Sequence, residues 1–159
     1  MTKPKDNISS QYLILNIGAH SFAVPVMNIQ DVIKSINKTP VPLSKANING
    51  LLNLRGHIVT EIDVAKTLGI EGRKHDSKND FAVVVDIKDE FYSFAFDGIG
   101  DVIEIKNTSI DPMPETVQKS WHKVSKGVHK LSDKLLVMLD LNLIVSLISD
   151  DKEPSIAIA

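Results

Sequence analysis

The sequence lacks cysteine altogether, and this absence excludes disulfide bonds, thiolate-bound zinc, iron–sulfur clusters and cysteine nucleophiles. It also lacks a long hydrophobic run. The most apolar stretch, residues 135–148, is interrupted by Asp140, Asn142 and Ser146 and is shorter than the roughly 20 residues that cross a bilayer. The polar first ten residues do not resemble a targeting signal. We therefore expect a cytoplasmic protein that does not insert directly into a membrane.

A charge excess of either sign is also missing. The 18 basic and 20 acidic residues leave a net charge of −2, and we expect no nucleic-acid partner because phosphate binding needs a clustered positive field. The 5 histidines are scattered, and no phosphate-loop, serine-elbow or metalloprotease motif occurs. The length of 159 residues suits one domain, for which we expect no enzyme activity, no cofactor and no bound metal.

What the sequence does contain is an internal repeat. Ile29 to Ile33 match residues 70 positions later, and the segment from Gly50 to Val64 aligns without a gap on a segment 77 positions later. Upstream, Phe22-Ala23 matches Phe94-Ala95 at a slightly different separation. The extra length between the two main blocks is best placed near residues 115–121. The repeat predicts two similar subdomains.

The repeat also sets the expected domain boundaries. We predict one domain over residues 11–149, with a first half at about 12–70 and a second half at about 80–148. The ends are expected to be a disordered N-terminus, 1–10, and a flexible tail, 150–159.

Each half is predicted to be mainly strand. Two hairpins are expected, from residues 12–17 with 22–26 and from residues 81–87 with 91–96. Many of these runs are apolar on both faces, which is typical of strands that are buried on both sides. Short helices are expected at 63–69, ended by Gly69, and at 141–148, capped by Asp140. The pattern therefore predicts an all-β fold with short helices, built as two small β-barrels.

One charge placement suggests a specific contact. Arg55 is one of only two arginines, and it lies in an Asn-Leu-Arg-Gly segment whose leucines are expected to pack and to exclude water from the guanidinium. Arginine grips carboxylates well in partly buried places. Asp31, which is flanked by aliphatic residues, is the natural acceptor, so we predict a structural ion pair between Arg55 and Asp31. The alternative is an exposed arginine.

The sequence resembles the CheW-type chemotaxis coupling proteins. The resemblance covers about residues 12–148 and includes the Asn53-Leu54-Arg55-Gly56 block after Gly50, an upstream Val-x-x-Ile-x-Asp-Val segment and Thr39-Pro40-Val41-Pro42. The second half contributes Phe96-Asp97-x-Ile99-x-x-Val102 and Leu139-Asp140. The resemblance implies two SH3-like five-stranded β-barrel subdomains around a shared hydrophobic core. It further implies a non-enzymatic adaptor that couples transmembrane chemoreceptors to the histidine kinase CheA.

The resemblance also implies two binding surfaces. The cytoplasmic tip of a methyl-accepting chemoreceptor would lie in a groove between the barrels, and the matching residues are Leu13, Val26, Ile29, Val32, Ile99 and Val102. The regulatory domain of CheA would bind one end of the first barrel, where the matching residues are Gly50, Asn53, Arg55, Gly56 and His57. The adaptor would then be recruited to membrane-bound chemoreceptor arrays. Asp31 is shorter than the glutamate that is frequent in the family, and Thr60 replaces a frequent proline.

Two other readings of the sequence stay open. The chain is alternatively a coupling protein of a chemotaxis-like pathway that controls other motility or pili. A less favoured alternative is a small β-barrel enzyme or ligand-binding module that uses carboxylates at Glu61, Asp63, Asp97 and Asp101. Trp121, the only tryptophan, is expected to pack on the second barrel, with a partner contact as the alternative role.

Overall fold

The computed structural model describes residues 8–34, 48–70 and 81–150. Most of the predicted disordered N-terminus, the predicted tail from residue 151 onward, the charged connector and the Thr39-Pro42 motif lie outside the described residues. The first strand begins at Ser9, two residues before the predicted domain start.

Within the described residues, ten strands form two five-stranded sheets, so the predicted all-β fold class is confirmed. The strands are β1 (Ser9–Ile17), β2 (His20–Pro25), β3 (Ile29–Lys34), β4 (Ile48–Leu54), β5 (His57–Asp63), β6 (Phe81–Ile87), β7 (Glu90–Phe96), β8 (Gly98–Lys106), β9 (Ser125–Leu131) and β10 (Lys134–Leu139). The helices are α1 (Val64–Leu68), α2 (Lys119–His122) and α3 (Leu141–Asp150). Short 3₁₀ turns, Val26–Asn28 and Asn107–Ser109, precede and follow strands.

Local chemistry explains where the short helices begin and end. The Asp63 carboxylate accepts a hydrogen bond from the Lys66 N–H at 3.1 Å, which satisfies one of the free donors at the start of α1. Gly69 ends that helix with φ of 69°, a left-handed conformation that glycine adopts without steric cost. Asp140 similarly accepts from the Leu143 N–H at 3.2 Å and begins α3. Both predicted helices are confirmed.

The two sheets have the same strand order when the repeat is taken into account. Sheet A has the order β8-β1-β2-β10-β9, and sheet B has the order β3-β6-β7-β5-β4. We call β1–β5 with α1 the first repeat and β6–β10 with α3 the second repeat. Each sheet therefore takes three strands from one repeat and a hairpin from the other. The halves of the chain are repeats, but neither half forms a sheet of its own.

The strand register fixes the alignment of the two repeats. In sheet A, Leu15 pairs with Ile99, and in sheet B the corresponding pair 70 positions away is Val85 with Ile29. The hairpins β4–β5 and β9–β10 correspond at a separation of 77 throughout. The match of Phe22-Ala23 with Phe94-Ala95 was wrong. Val137 pairs with Phe22 whereas Thr60 pairs with Tyr92, so Phe22 corresponds to Tyr92 and Ala23 to Ser93.

The hydrophobic core lies between the sheets and is shared by them. It includes Leu15 and Phe22 from sheet A, Val83 and Phe94 from sheet B, and the apolar faces of α1 and α3. A second, smaller cluster belongs to sheet A alone and consists of Ala23, Ile105, Leu136 and Met138. Strands such as β6 are buried on both faces, as their unbroken apolar sequence predicted.

Trp121 joins the two repeats inside this core. Its indole N–H donates to the Leu68 carbonyl at 2.8 Å, at the C-terminal end of α1. Its ring lies 5.5 Å from the ring of Phe22 and 5.1 Å from that of His20, measured between centroids. The tryptophan is almost completely buried, so its packing role is the one that the structure shows.

Candidate functional site

Four of the six residues of the predicted receptor groove lie in or against the core that the two sheets share, which marks the boundary between the sheets. Val26, Ile29 and Ile99 are half-buried and pack against the shared core, and Leu13 is buried within it. Leu13 pairs directly with Val102 in sheet A. Val32 and Val102 correspond through the repeat, and both are exposed. Leu13 therefore presents the least surface to a partner, and the two valines present the most.

Met27 adds an exposed apolar side chain beside this boundary. It follows Val26 in the 3₁₀ turn and is 90% exposed. Neither its spacing nor its neighbours distinguish it in the sequence, because a methionine in an apolar segment is more often a core residue.

The five residues of the predicted kinase surface all belong to the hairpin that connects β4 with β5. The Asn53 side chain accepts a hydrogen bond from the Gly56 N–H at 3.1 Å and braces the turn. Arg55 and Gly56 occupy that turn with φ of 52° and 85°, the left-handed values that a tight two-residue hairpin requires. Gly50 lies at the base of the hairpin, where it is buried and pairs with Glu61.

The structure brings Arg55 and Asp31 together. The guanidinium Nη2 lies 2.9 Å from Asp31 Oδ2, while Asp31 Oδ1 accepts the Val32 N–H at 2.8 Å. Oδ2 is buried but has no partner in hydrogen-bond geometry, so the contact with Arg55 is ionic. The expected burial of the arginine was wrong: its side chain is 75% exposed, because it sits at the tip of a turn.

This ion pair connects the two edges of sheet B. Asp31 lies on β3 at one edge, and Arg55 follows β4 at the other. Gln30, where the pairing of β3 with β6 shifts register, precedes Asp31, and a bulge of this kind re-aims the next side chain. Asp31 and Arg55 border a depression of about 190 Å³ that is also lined by His57 and Phe91.

An exposed isoleucine next to His57 was missed by the sequence reasoning. Ile58 is 71% exposed, and its counterpart in the second repeat, Leu135, is exposed too. The gapless alignment of residues 50–64 on 127–141 could have identified these two positions, because it places a large apolar residue at each of them. An exposed aliphatic residue therefore occupies the equivalent hairpin position in each repeat.

The carboxylates of the alternative enzyme reading occupy separate structural positions. Asp63 caps α1, and Asp97 accepts a hydrogen bond from the Gly18 N–H at 2.8 Å and holds the β1–β2 turn. Glu61 is buried in sheet B, and Asp101 is exposed on β8. None of the four lines the depression at Arg55 or the larger one of about 780 Å³ beside Trp121.

The described residues form neither a metal-holding cluster nor a membrane-spanning helix. Within them, no group of three or more histidine, aspartate or glutamate side chains is arranged to hold a metal ion. No helix in the described segments is long and apolar enough to cross a membrane.

Burial and the hydrogen bond donated to Glu90 raise the pKa of Tyr92 to about 12, and burial raises the pKa of Tyr12. Neither tyrosine belongs to the predicted surfaces.

Comparison with known proteins identifies relatives over most of the chain. The chain is 31% identical over 139 residues to the chemotaxis protein CheW of Helicobacter pylori, covering 87% of this chain and 83% of that protein. It is 32% identical over 135 residues to CheW of Thermotoga maritima, covering 85% and 87%. The crystal structure of the scaffolding protein TtCheW from Thermoanaerobacter tengcongensis superposes with a TM-score of 0.77 at 25% identity and covers 86% of this chain and 92% of that one.

The family model named CheW-like domain matches residues 11–149. The match includes both sheets, the boundary between them and the β4–β5 hairpin. The chain therefore belongs to the CheW-like family.

Proposed function

We propose that this protein is a non-enzymatic scaffold of chemotaxis that couples chemoreceptors to the histidine kinase CheA. The observation that carries the proposal is the match of residues 11–149 to the CheW-like domain, together with relatives that are named chemotaxis and scaffolding proteins. Its place is the cytoplasm, at membrane-bound receptor arrays.

The β4–β5 hairpin is the proposed surface for the regulatory domain of CheA. Asn53, Arg55, Gly56 and His57 form its tip, and Gly50 forms its base. The ion pair with Asp31 holds the tip against the opposite edge of the sheet. Interface centres consist of large side chains that lose water on binding, and Ile58 supplies such a side chain here.

The boundary between the sheets is the proposed groove for the receptor tip. An amphipathic helix binds through apolar anchors that fit a hydrophobic groove. Val26, Ile29 and Ile99 are half-buried at this boundary, with Val32 and Val102 more exposed beside them. The two proposed surfaces contain different residues, so substitutions can separate them.

Calorimetric titration of the purified chain with each partner tests the proposal. The titrants are the CheA regulatory domain and a receptor cytoplasmic hairpin encoded in the same genome. We expect both to bind, Val102→Glu to weaken receptor binding at least tenfold, and Ile58→Glu to weaken kinase binding by a similar factor. Each variant should bind the other partner within twofold of the wild type.

The two substitutions are matched controls, because both introduce a glutamate at an exposed aliphatic position of a strand. A chain that binds neither partner would contradict the proposed function. Equal loss of both partners in either variant would contradict the assignment of two separate surfaces.

A further inference from the structure

Glu61 is a buried acidic side chain that the proposed surfaces leave unexplained. It lies in β5 of sheet B and is only 1% exposed, the smallest exposure of any acidic residue in the described segments. Removing a carboxylate from water is costly unless hydrogen bonds and charges compensate for the lost hydration. Apolar packing therefore does not explain the burial of this side chain.

The Glu61 carboxylate connects three neighbouring strands. Its Oε2 accepts a hydrogen bond from the Asn49 side-chain amide on β4 at 3.1 Å. Its Oε1 accepts from the Ser93 hydroxyl on β7 at 3.5 Å. Asn49 lies where the pairing of β4 with β5 shifts register, between Ile48 and Gly50.

The second repeat shows that the fold does not need a carboxylate at this place. Glu61 corresponds to Met138, and Ser93 corresponds to Ala23. Glu61 pairs with Ser93 between parallel strands of sheet B, and Met138 pairs with Ala23 between parallel strands of sheet A. Met138 and Ala23 belong to the apolar cluster of sheet A. An apolar pair of similar volume therefore fills the same position in the same strand order. Replacing buried charged groups by well-packed apolar ones is often neutral or stabilising.

We propose that Glu61 is a positioning residue that sets the β4–β5 hairpin for its protein partner. The carboxylate holds Asn49 and thereby restrains the bulge after which β4 resumes its pairing at Gly50; sheet A has the same bulge at Lys126 without a carboxylate, so the contact restrains this register and does not create it. From Gly50 onward the pairing is regular as far as the turn that presents Arg55. Because a one-residue slip reverses the direction of every side chain in a strand, a fixed starting point determines what the hairpin exposes. The partner side of this inference rests on the proposed function.

The decisive variant is Glu61→Met with Ser93→Ala, which transplants the apolar pair from sheet A. We expect its thermal midpoint to equal or exceed that of the wild type. Its affinity for the CheA regulatory domain should fall about tenfold, while receptor-tip affinity stays within twofold. Asn49→Ala alone should cause the same loss of kinase affinity. Combining the three substitutions should cause no further loss, because Asn49→Ala and Glu61→Met remove the same hydrogen bond.

Met138→Leu is the matched control, because it changes the equivalent core position of sheet A. It should leave kinase affinity unchanged. Wild-type kinase affinity in the transplanted variant would overturn the inference, as would an equal loss of both partners or a lower thermal midpoint with proportionate loss of binding. If the transplanted variant does not fold, a folded Asn49→Ala protein with unchanged kinase affinity overturns it.

Amide hydrogen exchange separates this inference from the proposed function. The amides of residues 49–52 should exchange at least tenfold faster in the transplanted variant and in Asn49→Ala than in the wild type. Unchanged exchange would overturn the positioning role whether or not the kinase binds. Faster exchange in a chain that binds no kinase would instead contradict the proposed function and leave the positioning of β4 established.

Discussion

Sheets A and B have the same strand order and two equivalent register shifts each, but they differ in some of their polar side chains. At two equivalent positions sheet B has Arg55 and Glu61, where sheet A has Ser132 and Met138, whereas Asp31 of sheet B matches Asp101 of sheet A. Arg55 and Ser132 even share a φ of 52°, so the turns are alike and only the side chains differ. The fold is thus specified by features that both repeats contain. Arg55 and Glu61 are charged residues that sheet B has and sheet A lacks at these equivalent positions.

The largest expected loss of stability comes from a substitution in sheet A. Gly127 has φ of 146°, and a Cβ there would lie 2.3 Å from the Asp111 carbonyl oxygen, which is paired with β9. Gly127→Ala should lower the free energy of unfolding by about 3 kcal/mol, because strained backbone and overpacking add together. Urea denaturation measures this change.

Gly56→Ala is the control in sheet B. Its backbone is also left-handed, with φ of 85°, but no atom lies within 4 Å of the added Cβ. The cost should be about 1 kcal/mol, from conformation alone. Equal costs at both positions would contradict the steric explanation.

The next effect concerns the link between the repeats. Trp121→Phe removes the donor to the Leu68 carbonyl and leaves part of the indole volume empty. We expect the unfolding free energy to fall by about 2 kcal/mol, because a buried carbonyl loses its partner. His20→Ala, which removes only an exposed ring against the same indole, should cost about 0.5 kcal/mol. If the two substitutions cost the same, the hydrogen bond contributes nothing.

A smaller effect compares the ion pair with its counterpart. A double-mutant cycle with Arg55→Ala and Asp31→Ala should give a coupling free energy below about 1 kcal/mol, since the arginine is well exposed and water screens the charges. The same cycle at Ser132 and Asp101 should give no coupling. Strict additivity in the first cycle would show that the contact does not stabilise sheet B.

The smallest effect appears only at high pH. Tyr92 has a pKa of about 12 against an ordinary 10.0, so the folded state favours the protonated phenol. Its contribution to stability is fully present below pH 10.0 and is lost as the pH rises through about 12. Tyr92→Phe, which installs the residue type of its counterpart Phe22, should remove this loss. If Tyr92→Phe loses stability at high pH to the same extent as the wild type, the loss does not come from Tyr92.

Local signals in the sequence were sufficient for the hairpins and for α1 and α3, but α2 (Lys119–His122) was not predicted. Asp63 and Gly69 bracket α1 because a carboxylate and a left-handed glycine satisfy opposite helix ends, and both effects act within a few residues. The exchange of hairpins between repeats was not predictable in this way. The exchange depends on pairing between strands that are far apart in sequence, such as β2 with β10. The amino-acid composition of neither strand specifies which partner it pairs with.

The sequence predicted the contact between Arg55 and Asp31 correctly, but it did not predict how exposed the site residues are. The pairing of Arg55 with Asp31 followed from their charges, but the exposure of Arg55 depends on the turn at Gly56, which the leucine-rich flanks concealed. Leu13 matched the groove yet is buried, because β1 is the central partner of β2 and β8. The roles of both surfaces stay predictions.

The exchanged hairpins have a consequence for synthesis of the protein. β10 lies between β2 and β9, so sheet A cannot be completed until the chain has been translated through Leu139. β1 and β2, made first, must wait on the ribosome with their core faces uncovered while nearly the entire remaining domain emerges. Newly made N-terminal fragments would thus expose apolar strand faces, and cutting the gene at the connector would yield two products that each lack strands of both sheets.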